Sequence, residues 1–115
     1  MLLRIEEKQV QPGITVVELN GKLTIGRESQ RLEMLVDEMM KLGQRSIIFE
    51  MTGVDHIDST GIGILTLSAG KLKESGGKLV VVAPDGRVLN LLKTTQVNLI
   101  VTVCGTLPEA VAAFA

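Results

Sequence analysis

The chain has 115 residues, 45% hydrophobic and 22% charged, enough for one domain (1–115) whose core needs no disulfide or metal staple. Twelve Lys plus Arg against thirteen Asp plus Glu leave a net charge of -1, and Trp and Tyr are absent, so neither bulk electrostatics nor base stacking argues for nucleic acid. The single cysteine, Cys104, excludes an internal disulfide; no apolar run is long enough to span a bilayer and the N-terminus lacks a signal-peptide core, so a cytoplasmic protein without direct membrane insertion is expected.

In chain order, the sequence "LLRIEEKQV" (2–10) reads as the first arm of a hairpin, closed by Gln11-Pro12-Gly13 onto a strand "ITVVEL" (14–19). Leu32, Leu35, Val36, Met39 and Met40 then recur at helical spacing and form one apolar stripe, with Gly43 as the stop. "SIIFEM" (46–51) is a second buried strand, carrying Phe49, one of two aromatics. From Ser59 to about Ser75, Ile62, Leu65, Ala69 and Leu72 mark a second helix face that ends at Gly76-Gly77.

"KLVVVA" (78–83) is the next strand, followed by a short helix with Val88, Leu91 and Leu92 on one side and Asp85 as its expected cap. "LIVTVC" (99–104) reads as the last strand, with Cys104 as a packing residue at its end. Thr106-x-x-Glu109 with Pro108 in the first turn is a capping-box signature for a final helix, which carries the second aromatic, Phe114, as core. The order β-β-α-β-α-β-α-β-α implies right-handed crossovers. The expected fold is α/β: a small, mostly parallel sheet with an N-terminal hairpin and about four helices.

Catalytic patterns fail one after another. Gly70-Lys71 and Gly77-Lys78 are both followed by leucine, so neither is a phosphate loop. Gly61-x-Gly63 has Thr66 where a dinucleotide loop needs its third glycine. Ile57 stands where a nucleophile elbow needs glycine. His56 is the only histidine; it reads as a partly exposed loop side chain, Asp55 as a turn acid, and no metal or cofactor site is expected. The chain reads as a non-enzyme.

The stretch "DHIDSTGIGIL" (55–65) nonetheless holds a question. Asp58 or Ser59 can cap the helix that follows. Gly61 and Gly63 each weaken that helix by about 1 kcal/mol relative to alanine, so each needs a reason. One reason is close packing of the helix start on the sheet. Another is a smooth surface around Ser59 that another protein can approach.

"IIFEMTGVDHIDSTGIGIL", with "KLKESGGKLVVVAP" and "VLNLLKTTQV" after it, resembles the STAS domain of bacterial anti-sigma factor antagonists. The resemblance covers the element order of the whole chain, and residues 46 to 104 in detail. It implies a phosphoprotein of transcription regulation, whose partner is an anti-sigma factor that is also a serine kinase. The unphosphorylated form would bind that partner and free the sigma factor; phosphorylation would end the binding. Carried over, the modified residue is Ser59, with Thr60 as the alternative, and the partner-binding residues are Asp58, Ser59, Thr60, Gly61, Ile62, Gly63, Thr24 and His56. Two positions depart from the pattern: Thr24 stands where an aspartate is common, and His56 where an apolar or aromatic residue is common. STAS domains also serve as scaffold subunits of stress-sensing complexes and as accessory subunits of membrane transporters, so both stand as alternatives, and a homo-oligomer stays open.

Overall fold

The computed structural model describes residues 2–115. Five strands form one sheet in chain order: β1 (Arg4–Gln11), β2 (Ile14–Leu23), β3 (Ser46–Ile57), β4 (Lys78–Val82) and β5 (Thr102–Cys104). The β1–β2 pair is antiparallel and every later pair is parallel. The hairpin turns at Pro12-Gly13, where Gly13 takes a left-handed φ of 84° that a side chain would resist.

Helices α1 (Arg27–Lys41), α2 (Ser59–Glu74) and α3 (Arg87–Thr94) connect the parallel strands, and α4 (Leu107–Ala112) follows β5. Strand alternation sorts the side chains to two faces. Ile47, Phe49 and Met51 join Leu32, Val36 and Met39 of α1, Leu65 and Leu72 of α2, and Leu92 of α3 in the larger core. Ile14, Val16, Ile48, Val80 and Val82 point the other way, where Ala110 of α4 and the half-buried Phe114 just beyond it cover them. Three helices thus share one face, and one short helix closes the other.

The α1 stripe is as expected: Leu32, Val36 and Met39 are buried, with Leu35 and Met40 packed at its margins. Gly43, at φ 83°, follows its last turn. Thr106 caps α4 by accepting the Glu109 amide at 3.3 Å, while its hydroxyl donates to the Glu109 carboxylate at 2.9 Å.

Three local expectations need correction. Residues 99–101 are not strand: Val97–Leu99 form a 3-10 turn, entered through Gln96 at φ 62°, and β5 begins only at Thr102. Asp85 does not cap α3. Gly86 occupies the cap position, with no side-chain hydrogen bond. Most consequential, β2 and β3 run far beyond 19 and 51, to Leu23 and Ile57. Asp55 and His56 are therefore strand residues, not a turn acid and a loop side chain, because β2 continues beside them and pairs Lys22 with His56.

Candidate functional site: the start of helix α2

The extended β2 and β3 deliver two chain reversals side by side at the carboxyl edge of the sheet. Leu23 pairs with Ile57, and the Asp58 amide donates to the Leu23 carbonyl at 3.3 Å. Asp58 then stops the strand in an extended conformation and becomes the cap of α2. One carboxylate oxygen accepts the Gly61 amide at 3.0 Å, satisfying a first-turn donor that has no partner inside the helix. The other accepts the Ile25 amide at 2.9 Å.

Asp58 therefore ties the β2–α1 loop to the first turn of α2. Burial pushes its carboxyl pKa up, but the amides of Ile25, Gly61, Thr60 and Asp58 itself together outweigh that and hold it below the ordinary carboxyl value. The cap is a carboxylate at neutral pH.

With Asp58 as cap, Ser59 is the first helical residue and is exposed, whereas Thr60 is half-buried. The two glycines of the first turns divide the two reasons between them. Gly61 is buried, and a Cβ there would run into the Leu23 carbonyl and the Ile57 side chain; its bareness is what lets the helix start sit on β2 and β3. Gly63 has nothing within 4 Å of where its Cβ would lie, so packing does not require it. Ile62 is half-buried against the larger core. Thr24 lies half-buried in the loop that Asp58 holds. Next to it is Ile25, whose side chain is 78% exposed.

Of the eight residues expected at a partner face, Thr24 and Asp58 through Gly63 gather at this one corner. His56 lies on its flank. It lines a groove of about 420 Å³ between the end of β3 and α3, with Asp55, Ile57, Arg87, Val88, Asn90, Leu91 and Thr94. Ile25 was not anticipated from the sequence; only the fold reveals that its amide is held by Asp58 and its side chain stands free. A larger depression, about 520 Å³, lies at the ends of β4 and β5 beside Asp85, Lys93 and Cys104, away from Ser59. Burial, and next the charge of Glu109, push the Cys104 thiol pKa up, which makes it a poor nucleophile. Among the described residues no three His, Cys, Asp or Glu side chains gather as a metal-binding group, and no helix is long and apolar enough to cross a membrane.

A parallel sheet with an antiparallel edge hairpin, and an exposed serine at the start of a carboxylate-capped helix after β3, defines a class of small α/β domains. The chain belongs to the STAS domain family, which matches residues 7–110. Its relatives include a Thermotoga maritima protein assigned as an anti-sigma factor antagonist, 26% identical over 97 residues, which span 84% of this chain and 86% of that one. A crystal structure with the same assignment from Thermotoga maritima shares the fold, with a TM-score of 0.85 at 24% identity over 95% of this chain and 92% of that one. The phosphorylated form of the Bacillus cell fate determinant SpoIIAA also shares it, with a TM-score of 0.72 at 16% identity, covering 97% of this chain and all of that one.

Proposed function

We propose that this protein is an anti-sigma factor antagonist that binds an anti-sigma factor with serine kinase activity and is switched off by phosphorylation at Ser59. The observation that carries the reading is the pairing of an exposed Ser59 hydroxyl with a helix start built not to depend on it: Asp58, not Ser59, is the cap. A kinase can therefore take the hydroxyl without dismantling the turn. Thr60, half-buried one residue on, is the poorer acceptor. In this reading the domain is a kinase substrate and a binding module, not a catalyst.

The free amides and the positive end of the α2 dipole favour a phosphate on Ser59 by about 0.3–1 kcal/mol, and the Asp58 carboxylate offsets part of that. The effect on the fold is small. A partner seated on Ser59, Ile62, Gly63 and Ile25 meets a bulky dianion at the centre of its contact. Burying it without a matching cation costs several kcal/mol, equivalent to about a hundredfold or more in affinity. The relatives assigned as antagonists support the choice of partner class.

The test is incubation with candidate anti-sigma kinases and ATP, followed by phosphosite mapping. One phosphate on Ser59, abolished in Ser59→Ala and retained in Thr60→Ala, is expected. Incorporation that survives Ser59→Ala and disappears in Thr60→Ala would reassign the switch.

A further inference from the structure

The connections leaving the carboxyl ends of β4 and β5 lead to opposite faces of the sheet. After β4 the chain passes through Pro84, Asp85 and Gly86 into α3, which packs in the larger core with α1 and α2. After β5 it passes through Gly105 and Thr106 into α4, on the other face. The two strands are parallel neighbours, and their ladder ends where the Ala83 amide donates to the Cys104 carbonyl at 2.9 Å. Beyond that bond they part. Where neighbouring parallel strands send their chains to opposite faces, a crevice opens outside the strand ends, and ligands of open α/β sheets bind there. Because β2, β3 and β4 all lead to helices on one face, the β4–β5 boundary is the only such place among the described residues.

The crevice there has a volume of about 520 Å³, within the range of about 300–1,000 Å³ common for small-molecule sites. Leu89 and Val103, both half-buried, give it an apolar wall. The Cys104 thiol, kept protonated at neutral pH by burial, adds no charge. Three polar side chains border it: Asp85 from the loop after β4, Lys93 one turn beyond Leu89 on α3, and Asn98 from the 3-10 turn. Among the described residues the ion pairs lie elsewhere, and neither Asp85 nor Lys93 takes part in one. The nearby Glu109 carboxylate is engaged by the Thr106 hydroxyl at 2.9 Å.

One carboxylate and one ammonium that do not neutralise each other select a ligand by its charge pattern. A lone anion gains Lys93 but meets Asp85, and a lone cation suffers the reverse. A molecule carrying both charges on an apolar body satisfies every wall. We propose that the crevice between β4 and β5 binds a small zwitterion, a free α-amino acid with an aliphatic side chain. Its ammonium pairs with Asp85, its carboxylate with Lys93 and the Asn98 amide, and its side chain lies on Leu89 and Val103. The inference rests on the sheet topology and not on Ser59, so it stands whether or not Ser59 is the switch.

The test titrates free leucine, and separately N-acetyl-leucine and leucinamide, into the intact isotope-labelled protein, followed by NMR. Leucine should shift the signals of Leu89, Lys93, Asn98 and Gly105 saturably. The two analogues, each lacking one charge, should bind weaker by about tenfold or more. Asp85→Asn should weaken leucine and leucinamide by about tenfold and leave N-acetyl-leucine unchanged. Lys93→Met should weaken leucine and N-acetyl-leucine and spare leucinamide. Both side chains are exposed, so each variant should keep the thermal midpoint of the wild type. No saturable shift with leucine or any other aliphatic amino acid would overturn the proposal. So would shifts that map elsewhere, or equal affinity for leucine and its singly charged analogues, which makes the crevice an apolar depression only.

Discussion

The two halves of α2 share one helix and divide its work. From Ile64 onward the helix is anchored by side chains: Ile64, Leu65, Ser68, Ala69 and Leu72 are buried against the sheet and α1. From Asp58 to Gly63 it is anchored mostly by hydrogen bonds and close backbone approach: the Asp58 carboxylate cap, the Asp58 amide on the Leu23 carbonyl, and a glycine at 61 where a side chain would collide. The second half supplies stability that no partner needs to see. The first half, held without large buried side chains of its own, leaves its outer surface free to be read and modified. Fold and the proposed switch should then be alterable separately.

That separation is exposed to breaking. The largest expected effect is in the second half: Leu65 is fully buried in the larger core, and Leu65→Ala should cost about 2–5 kcal/mol through lost burial and the cavity left behind. A urea midpoint equal to that of the wild type would mean the helix does not face the sheet as described.

Next are the two glycines, which should respond in opposite directions. Gly61→Ala forces a methyl against the Leu23 carbonyl, and the resulting shift should destabilise by about 1–3 kcal/mol. Gly63→Ala meets open space and gains helix propensity, so it should stabilise by up to about 1 kcal/mol while weakening partner binding. Denaturation curves for the pair decide it; two changes of the same sign would erase the distinction between a packed and a presented glycine.

Asp58 gives the next effect in size. Asp58→Ala removes the cap and should cost about 0.5–2 kcal/mol. Because its folded pKa lies below the ordinary carboxyl value, its contribution is fully present above that value and is lost as pH falls through the folded one. Acid titration of stability should therefore be shallower in Asp58→Asn than in the wild type, with the two curves differing at neutral pH and converging in acid.

The sequence revealed the hairpin, the α1 stripe, the Thr106 cap and the start of α2 because each is local: a turn triplet, a 3.6-residue period, a hydroxyl three residues before its glutamate. Residues 52–57 hid their strand character because Thr52, Gly53, Asp55 and His56 lie on an overhang with solvent on much of its surface, and register shifts against β2 break the two-residue period. Leu99, Ile100 and Val101 misled in the opposite sense. They are strand formers by composition, yet the left-handed Gln96 and the 3-10 turn take the chain round to reach β5, leaving Leu99 and Ile100 exposed. At the site, Ser59 and its neighbours were legible as a pattern, but which residue capped was not. The second Asp58 oxygen on Ile25 is a contact across 33 positions that no local signal encodes.

The most direct test of the divided helix is calorimetry and partner titration on one preparation of protein, before and after stoichiometric phosphorylation at Ser59. The thermal midpoint should stay within about a few degrees, since a phosphate at an exposed helix start is worth at most about 1 kcal/mol, while affinity for the anti-sigma partner falls by about a hundredfold or more. A large drop in midpoint, or an affinity that does not change, would contradict the account.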